Sequence, residues 1–330
     1  MKKHLGSILY GLSLFSFTVF VLLDTFVITR VYSTVPLEQN SEGTTETHIN
    51  IENTTKISEE IISSDKNTEV FTETTIEETA GVSDVTPIIT ENSYIDENIS
   101  IILTEYREYN TNIYVADVQI SSAEYLKTAL AQNSYGKNVT QKTSEMAQNN
   151  NAILAINGDY YGAQEKGYVL RNGILYRNTS SKNKEDLVIY KDGSPGIITE
   201  SEISADELLS NGAEQILSFG PALVIDSLIS VTEDEEVGKA AASNPRTAIG
   251  VIDSLHYVFV VSDGRTKESE GLSLYELAEF MEKLGAVTAY NLDGGGSSTM
   301  YFNGEIINTP TTDGKKIKER KVSDIVYIGY

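Results

Sequence analysis

The order of apolar and polar positions divides this chain into three stretches. Residues 5–23 carry no charge and are mostly apolar, with Lys2 and Lys3 before them and Asp24 after. About 20 such residues suffice to cross a bilayer as a helix. The positive flank predicts a cytoplasmic N-terminus and an exported remainder. A cleavable signal peptide is the rival reading, but the run is long for one and no small-residue cleavage site follows it. Between 36 and 98 the pattern dissolves into Thr, Glu, Ser and Asn with isolated Ile and Val. From 99 onward regular periodicities return.

Alternation around Ile113, Val115 and Val118 predicts a strand over 112–120. Helical spacing marks 122–132 and 143–150, the latter leading into the buried strand Ala152-Ile153-Leu154-Ala155-Ile156. Short apolar runs at 168–170, 174–176 and 187–190 predict strands, with Asn172-Gly173 and Asp192-Gly193 as hairpin turns. Ser204 and Glu207 have capping-box spacing and open a short helix. Residues 216–225 are apolar and broken at Gly220-Pro221, and 246–261 reads as two strands about Asp253-Ser254. The clearest helix is 273–284. Ser273 and Glu276 make a second capping box, and Leu274, Leu277, Ala278, Met281 and Leu284 form one stripe. Gly285 stands where a left-handed cap belongs. Asn303-Gly304 is a further turn and 325–328 a closing strand. Hairpins with interspersed helices predict an α+β single domain, 99–330, with a mixed, largely antiparallel sheet and a few packed helices. It follows an N-terminal membrane anchor (1–35) and a stalk (36–98).

Composition sharpens this division. The stretch 36–98 holds 15 acidic and 2 basic residues, so −13 of the chain's formal −23 lies there. Such a tract buries too little apolar surface to offset its ordering entropy, and its self-repulsion predicts an extended, disordered stalk, with one or two weak strands from its isolated apolar residues as the alternative. The 99–330 region is the right size for one domain with a full core. Its acidic balance argues against nucleic acid as a partner. Cysteine is absent, which removes thiol nucleophiles, thiolate metal sites and disulfides. With no tryptophan, sugar stacking falls to tyrosine or phenylalanine. Of the histidines, His4 precedes the anchor, His48 is in the stalk and His256 sits in an apolar strand. That disfavours a Ser-His-Asp triad and a histidine-rich zinc site. No cofactor is required; a Ca or Mg site of oxygen ligands stays open. Glu233-Asp234-Glu235-Glu236 reads as a solvated loop.

Polar clusters recur at the ends of the apolar strands, where rigid scaffolds display site residues. They are Asn157-Gly158-Asp159-Tyr160-Tyr161-Gly162, Ser243-Asn244-Pro245-Arg246-Thr247, Ser262-Asp263-Gly264-Arg265 and Asn291-Leu292-Asp293-Gly294-Gly295-Gly296-Ser297-Ser298-Thr299. Each alone is ordinary turn chemistry; four together point to one cleft. Three consecutive glycines signal a tight turn or a backbone that meets a ligand. Their N–H groups could form an anion nest, to which Ser297, Ser298 and Thr299 add hydroxyls. Arg246 and Arg265 could fork onto phosphate or form structural ion pairs. Asp159, Asp263 and Asp293 supply carboxylates for acid, base or nucleophilic work.

In this order these clusters resemble the phosphodiester glycosidase family. Also matching are Ser218-Phe219-Gly220-Pro221-Ala222-Leu223-Val224, Gly271-Leu272-Ser273-Leu274-Tyr275-Glu276-Leu277-Ala278 and Leu284-Gly285-Ala286. Lys321-Val322-Ser323-Asp324 is similar to the family's closing R-x-V-S-N signature, with Asp324 where Asn is frequent. The resemblance covers roughly 105–330 and leaves out the anchor and stalk. It implies hydrolysis of a sugar–phosphate diester on the sugar side of phosphorus. Asp293 or Asp159 would act as base or nucleophile, with Asp263 a third candidate. Asn157, Arg246, Arg265 and the run Gly294, Gly295, Gly296, Ser297, Ser298 and Thr299 would hold substrate and phosphate. With the anchor, this predicts a single-pass cell-membrane protein with an extracellular catalytic domain. Its expected partner is a sugar-phosphate glycan, a bacterial wall polymer or an exopolysaccharide. Three readings compete: a non-catalytic module binding anionic polysaccharide, a glycoside hydrolase for phosphate-free glycans, and a metal-dependent phosphodiesterase cleaving at phosphorus.

Overall fold

The computed structural model describes residues 2–32, 86–234 and 243–330. Four α-helices occur among them: α1 (Lys2–Phe26), α2 (Thr143–Asn149), α3 (Ala205–Ser210) and α4 (Leu274–Lys283). The α+β expectation holds. The sheet expected as one is divided into several, and every pairing among the described strands is antiparallel.

The largest sheet has nine strands. At its centre Thr288–Asn291, Thr247–Asp253, His256–Ser262 and Thr111–Ile120 lie side by side. A five-stranded sheet sets Met300–Phe302, Leu154–Asn157, Asp324–Ile328 and Leu126–Leu130 side by side in that order. Residue alternation explains how the two stack. Tyr257, Phe259 and Val261 enter one core with Leu154, Ile156, Val326 and Ile328. Val258 and Val260, one residue out of phase, pack instead with Leu277, Phe280 and Met281 of α4. Ala155, Ile325 and Tyr327 likewise turn to Met146 and Ala147 of α2. A period of two thus sends successive side chains to opposite faces, giving a helix–sheet–sheet–helix stack. A second five-stranded sheet centres on Ala213–Leu217. It runs from Ile174–Arg177 through Val169–Arg171 on one side to Glu185–Tyr190 and Pro195–Thr199 on the other.

The capping box of α4 forms as expected. Glu276 N donates to Ser273 Oγ at 3.1 Å, and Ser273 N donates to Glu276 Oε2 at 2.8 Å. The helix expected over 122–132 does not form. A single 3₁₀ turn, Ala123–Tyr125, leads into the strand Leu126–Leu130. Leu126 pairs with Ile328 and Leu130 with Asp324 along one edge of the sheet, so ladder bonds and core burial override the helical spacing.

The sheet also begins earlier than the composition implied. Ile88–Ile89 and Ser93–Ile95 pair within the stretch assigned to the stalk. Tyr94 is buried there. Asp96 accepts from Asn98 N and Ile99 N, both at 2.8 Å, and from the hydroxyls of Tyr94 at 2.7 Å and Tyr330 at 2.6 Å. These long-range contacts are invisible to composition. Residues 33–85, most of the expected stalk, lie outside the described residues, as do Glu235 and Glu236 of the acidic loop.

The segment expected as an anchor is helical. Among the described residues no helix is long and apolar enough to cross a membrane. Beyond α1, Arg30–Val31 pairs with Gly136–Lys137, and Asn138 Nδ2 donates to Ile28 O at 3.0 Å.

Phe280 is fully buried between α4 and the large sheet, and Tyr106 meets its ring edge-on at 5.3 Å. Phe280→Ala should cost about 3–5 kcal/mol of stability. Ser273→Ala, which loses one cap bond, should cost about 1 kcal/mol. Urea unfolding of the two variants checks both values; equal costs would refute the assignment of α4 packing as the larger contribution.

Candidate active site

A buried hydrogen-bond hub joins the two stacked sheets at the C-terminal end of Leu154–Asn157. Asn157 is fully buried. Its Nδ2 donates to Asp293 O at 2.6 Å, and its Oδ1 accepts from Thr247 Oγ1 at 2.9 Å and Thr299 N at 3.2 Å. One side chain therefore joins the five-stranded sheet to two strand ends of the large sheet. The glycines that follow Asp293 serve close approach. Gly295 has φ +61°, and a Cβ there would lie 2.8 Å from Arg265 Nη2; a Cβ on Gly296 would meet Thr312 Oγ1 at 2.2 Å. Three N–H groups in the segment of the expected anion nest are engaged within the protein. Gly295 N donates to Pro245 O at 2.7 Å, Ser297 N to Gly294 O at 3.3 Å, and Ser298 N to Gly295 O at 3.2 Å.

Three aspartates come to very different ends. Asp293 is held by Arg320 Nη2 at 2.9 and 3.1 Å and by Ser297 Oγ at 2.6 Å. Arg320 Nε also donates to Ser297 Oγ at 2.8 Å, closing the triangle. Burial raises the pKa of Asp293, while Arg320 and Ser297 pull it back. Asp293 and Arg320 share the wall of a cavity of ≈ 530 Å³ with Tyr160, Phe219, Asn138 and Gln164. Tyr160 is 46% exposed.

Asp159 is sealed beneath that cavity. Its Oδ1 accepts from Tyr161 N at 2.9 Å; its Oδ2 accepts from Ser218 N at 2.9 Å and Arg171 Nη2 at 2.8 Å. The same guanidinium reaches Asp324 Oδ2 from Nε at 2.9 Å and Nη2 at 2.7 Å, and its Nη1 donates to Ile216 O. Burial, and then the charge of Asp159, push the pKa of Asp324 up. Asp263 fastens a loop: its Oδ1 accepts from Thr309 N at 2.8 Å, and its Oδ2 accepts from Tyr114 OH at 3.2 Å.

The arginines also separate. Arg246 is buried and its Nε donates to Leu272 O at 2.8 Å. Arg265 braces the neighbouring loops, donating from Nη2 to Asn244 Oδ1 at 2.9 Å and from Nη1 to Thr312 O at 2.7 Å. Desolvation and the charge of Arg320 both lower its pKa, so the two guanidiniums feel one another. Sequence reasoning passed over Arg320, although it stands first in the closing signature Arg320-Lys321-Val322-Ser323-Asp324. Arg171 and Phe219 were also passed over as site residues. Among the described residues no three His, Cys, Asp or Glu side chains converge as metal ligands.

Beyond Ser218 lies a second buried acidic pair. Ser218 Oγ donates to Glu200 Oε1 at 3.2 Å. Asp186 is fully buried beside them. Burial first, and then the charge of Glu200, push its pKa up to about 9.

Comparison with known proteins converges on this region. The family profile described as phosphodiester glycosidase matches residues 150–329, which include every residue of the cavity triangle. The SPbeta prophage-derived protein YomE of Bacillus subtilis is 29% identical over 201 residues, 59% of this chain and 31% of YomE. The N-acetylglucosamine-1-phosphodiester alpha-N-acetylglucosaminidase of Mus musculus is 31% identical over 157 residues, 44% of this chain and 30% of the mouse protein. The chain thus spans about a third of the length of these relatives. Among solved structures, the zebrafish N-acetylglucosamine-1-phosphodiester alpha-N-acetylglucosaminidase catalytic domain, auto-inhibited by its pro-peptide, superposes with a TM-score of 0.56 at 20% identity. That match covers 70% of this chain and 83% of the zebrafish one, a likeness of fold.

The raised pKa of Asp186 has a signed consequence for stability. A folded state that holds the proton more tightly than the unfolded chain is favoured at low pH. That contribution is whole below the ordinary carboxylate pKa and is lost as pH climbs toward about 9. Asp186→Asn removes the ionisation, so its gain in Tm over the parent should widen from about pH 5 to about pH 9. Thermal unfolding across that range checks this; a constant Tm difference would refute it.

Proposed function

The chain belongs to the phosphodiester glycosidase family, and on that premise we propose that it hydrolyses a sugar-1-phosphodiester on the sugar side of phosphorus. The observation that carries this reading is the pairing of Asp293 with Arg320 in the wall of one ≈ 530 Å³ cavity. A cavity of about 300–1,000 Å³ suits a small ligand such as one sugar and its phosphate. Tyr160 and Phe219 offer apolar faces to the sugar ring.

The leaving group of such a reaction is already an anionic phosphomonoester, so it needs little protonation. Stabilising the charge it gains then matters most. Arg320, with Arg265 beside it, supplies that field. Asp293 is the reactive carboxylate. It takes the proton of a water whose oxygen attacks the anomeric carbon, or attacks that carbon itself before water releases the sugar. In both routes the bond from the anomeric carbon to the phosphate oxygen breaks, and its electron pair leaves with the phosphate. Asp159, Asp263 and Asn157 position the surrounding loops, and Arg246 supports the segment under Gly294. For the natural substrate we propose a bacterial wall polymer or exopolysaccharide containing sugar phosphate. The exposed apolar side chains of α1, Phe15, Phe17 and Phe20 among them, support attachment of the chain to a lipid surface.

Phosphorus NMR of the full-length chain with a synthetic α-N-acetylglucosamine-1-phosphodiester tests the reaction. Free sugar plus the phosphomonoester of the other alcohol is the expected outcome. Sugar-1-phosphate plus free alcohol would assign cleavage to the wrong side, and no release by folded protein would leave a binding module. Asp293→Asn should lower kcat by about 10²–10⁴-fold, and Arg320→Ala should lower kcat/KM by about 10²–10³-fold. Because burial raises the pKa of Asp293, the rising limb of the kcat/KM profile should lie above the ordinary carboxylate range.

A further inference from the structure

The chain carries a formal charge of −23, yet its most basic stretch borders the reactive cavity. Lys315-Lys316-Ile317-Lys318-Glu319-Arg320-Lys321 holds five cations and one acid in seven residues. It forms one wall of a groove of ≈ 450 Å³, where Lys316, Lys318, Arg320 and Lys321 face Lys142. Asp313 and Glu319 are the acids of that groove. Glu319 is turned inward: its carboxylate accepts from Ser144 N at 3.0 Å and Ser144 Oγ at 2.6 Å. Asp313 is occupied in its own turn, accepting from the N–H groups of Lys315 at 2.9 Å and Lys316 at 3.1 Å. Lys142 lies 2.9 Å from Glu145, which partly offsets its charge. Lys316 and Lys318 are exposed.

Arg320 and Lys321 line both the groove and the Asp293 cavity, so the two concavities adjoin. We propose that the groove is a second anion subsite. It takes the phosphate of the neighbouring repeat of a poly(sugar phosphate) chain whose scissile diester lies beside Asp293. The proposal rests on the phosphodiester reading above and gives it a substrate class, a polymer with a phosphate in each repeat. A neutral glycan with one terminal phosphodiester would have no use for a basic groove on an acidic protein. Concentrating cations in a concavity raises the local potential there despite the negative total. The lysines act as mobile point charges, which suits a repeating backbone better than a fixed bidentate contact.

The test uses the full-length chain, its Lys316→Gln/Lys318→Gln variant and two substrates with the same scissile bond. One is a single sugar-1-phosphodiester and the other an oligomer of several sugar-phosphate repeats. The variant should raise KM for the oligomer by about tenfold and weaken its dependence on salt, while kcat and KM for the single diester stay within about twofold. An equal shift for both substrates, or no shift for either, overturns the subsite. If neither substrate is hydrolysed, the phosphodiester reading falls and the groove is judged by calorimetric titration with the oligomer. A Kd about tenfold weaker in the variant then supports it, and an unchanged Kd overturns it. Equal, lysine-dependent binding of single-stranded DNA would overturn it in favour of a surface for polyanions in general.

Discussion

Everything at this site depends on how one guanidinium is buried. Arg171 comes from Val169–Arg171, Asp159 from the turn after Leu154–Asn157, and Asp324 opens the closing strand of the five-stranded sheet. The arginine also donates to the carbonyls of Leu170 and Ile216. It therefore binds two sheets together at the floor of the cavity, with side-chain exposure of 2% for Arg171 and 0% for each partner. Taking such charges out of water is costly, and removing one partner of a buried pair typically costs about 3–5 kcal/mol because the other is left stranded. The guanidinium lies over the ring of Tyr161 at 5.6 Å. The loop that displays Tyr160 to the cavity is thus fixed at both sides by the same buried charge.

Asn157 performs a related task with neutral groups. Its three contacts tie Thr247, Asp293 and Thr299 to one strand end. The Asp293 backbone is held from below, and its carboxylate is held from the side by Ser297 and Arg320. The Asp293 carboxylate is held in place, and burial, opposed by one cation and one hydroxyl, raises its proton affinity. The three glycines let the Pro245, Arg265 and Thr312 segments press against this loop without Cβ clashes.

Local signals carried well into the structure where they were complete within a few residues. Ser273, Glu276 and Gly285 marked both ends of α4, and Asn172-Gly173 marked its hairpin with both residues at positive φ. The strand Leu126–Leu130 was illegible because Leu126 and Leu130 sit at helical spacing, and only pairing with residues near position 328 decides the matter. Tyr94 and Asp96 were hidden in acidic composition, although Tyr330 closes on Asp96 from the far end of the chain. For the site, the Asp293 segment was readable because carboxylate, glycines and hydroxyls are adjacent in sequence. Its partner Arg320 is 27 positions away, and the partners of Arg171 are 12 and 153 away. Residue type alone could not tell the aspartate that lines the cavity from the two that do not.

The buried trio also carries unequal charges. One arginine faces two carboxylates, so full ionisation would leave a net negative charge out of water. The strain falls on Asp324, whose proton affinity is raised by burial, by Asp159 and by the nearby charge of Asp293. Its Oδ1, which meets no donor, is free to carry the proton while Oδ2 keeps both bonds to Arg171. A neutral Asp324 keeps the shape of the trio and removes the surplus charge, much as an asparagine at this position would. A proton on Asp324 would also lower the negative potential felt by Asp293, because the two carboxylates repel one another. The supporting trio and the Asp293 carboxylate therefore share one electrostatic balance.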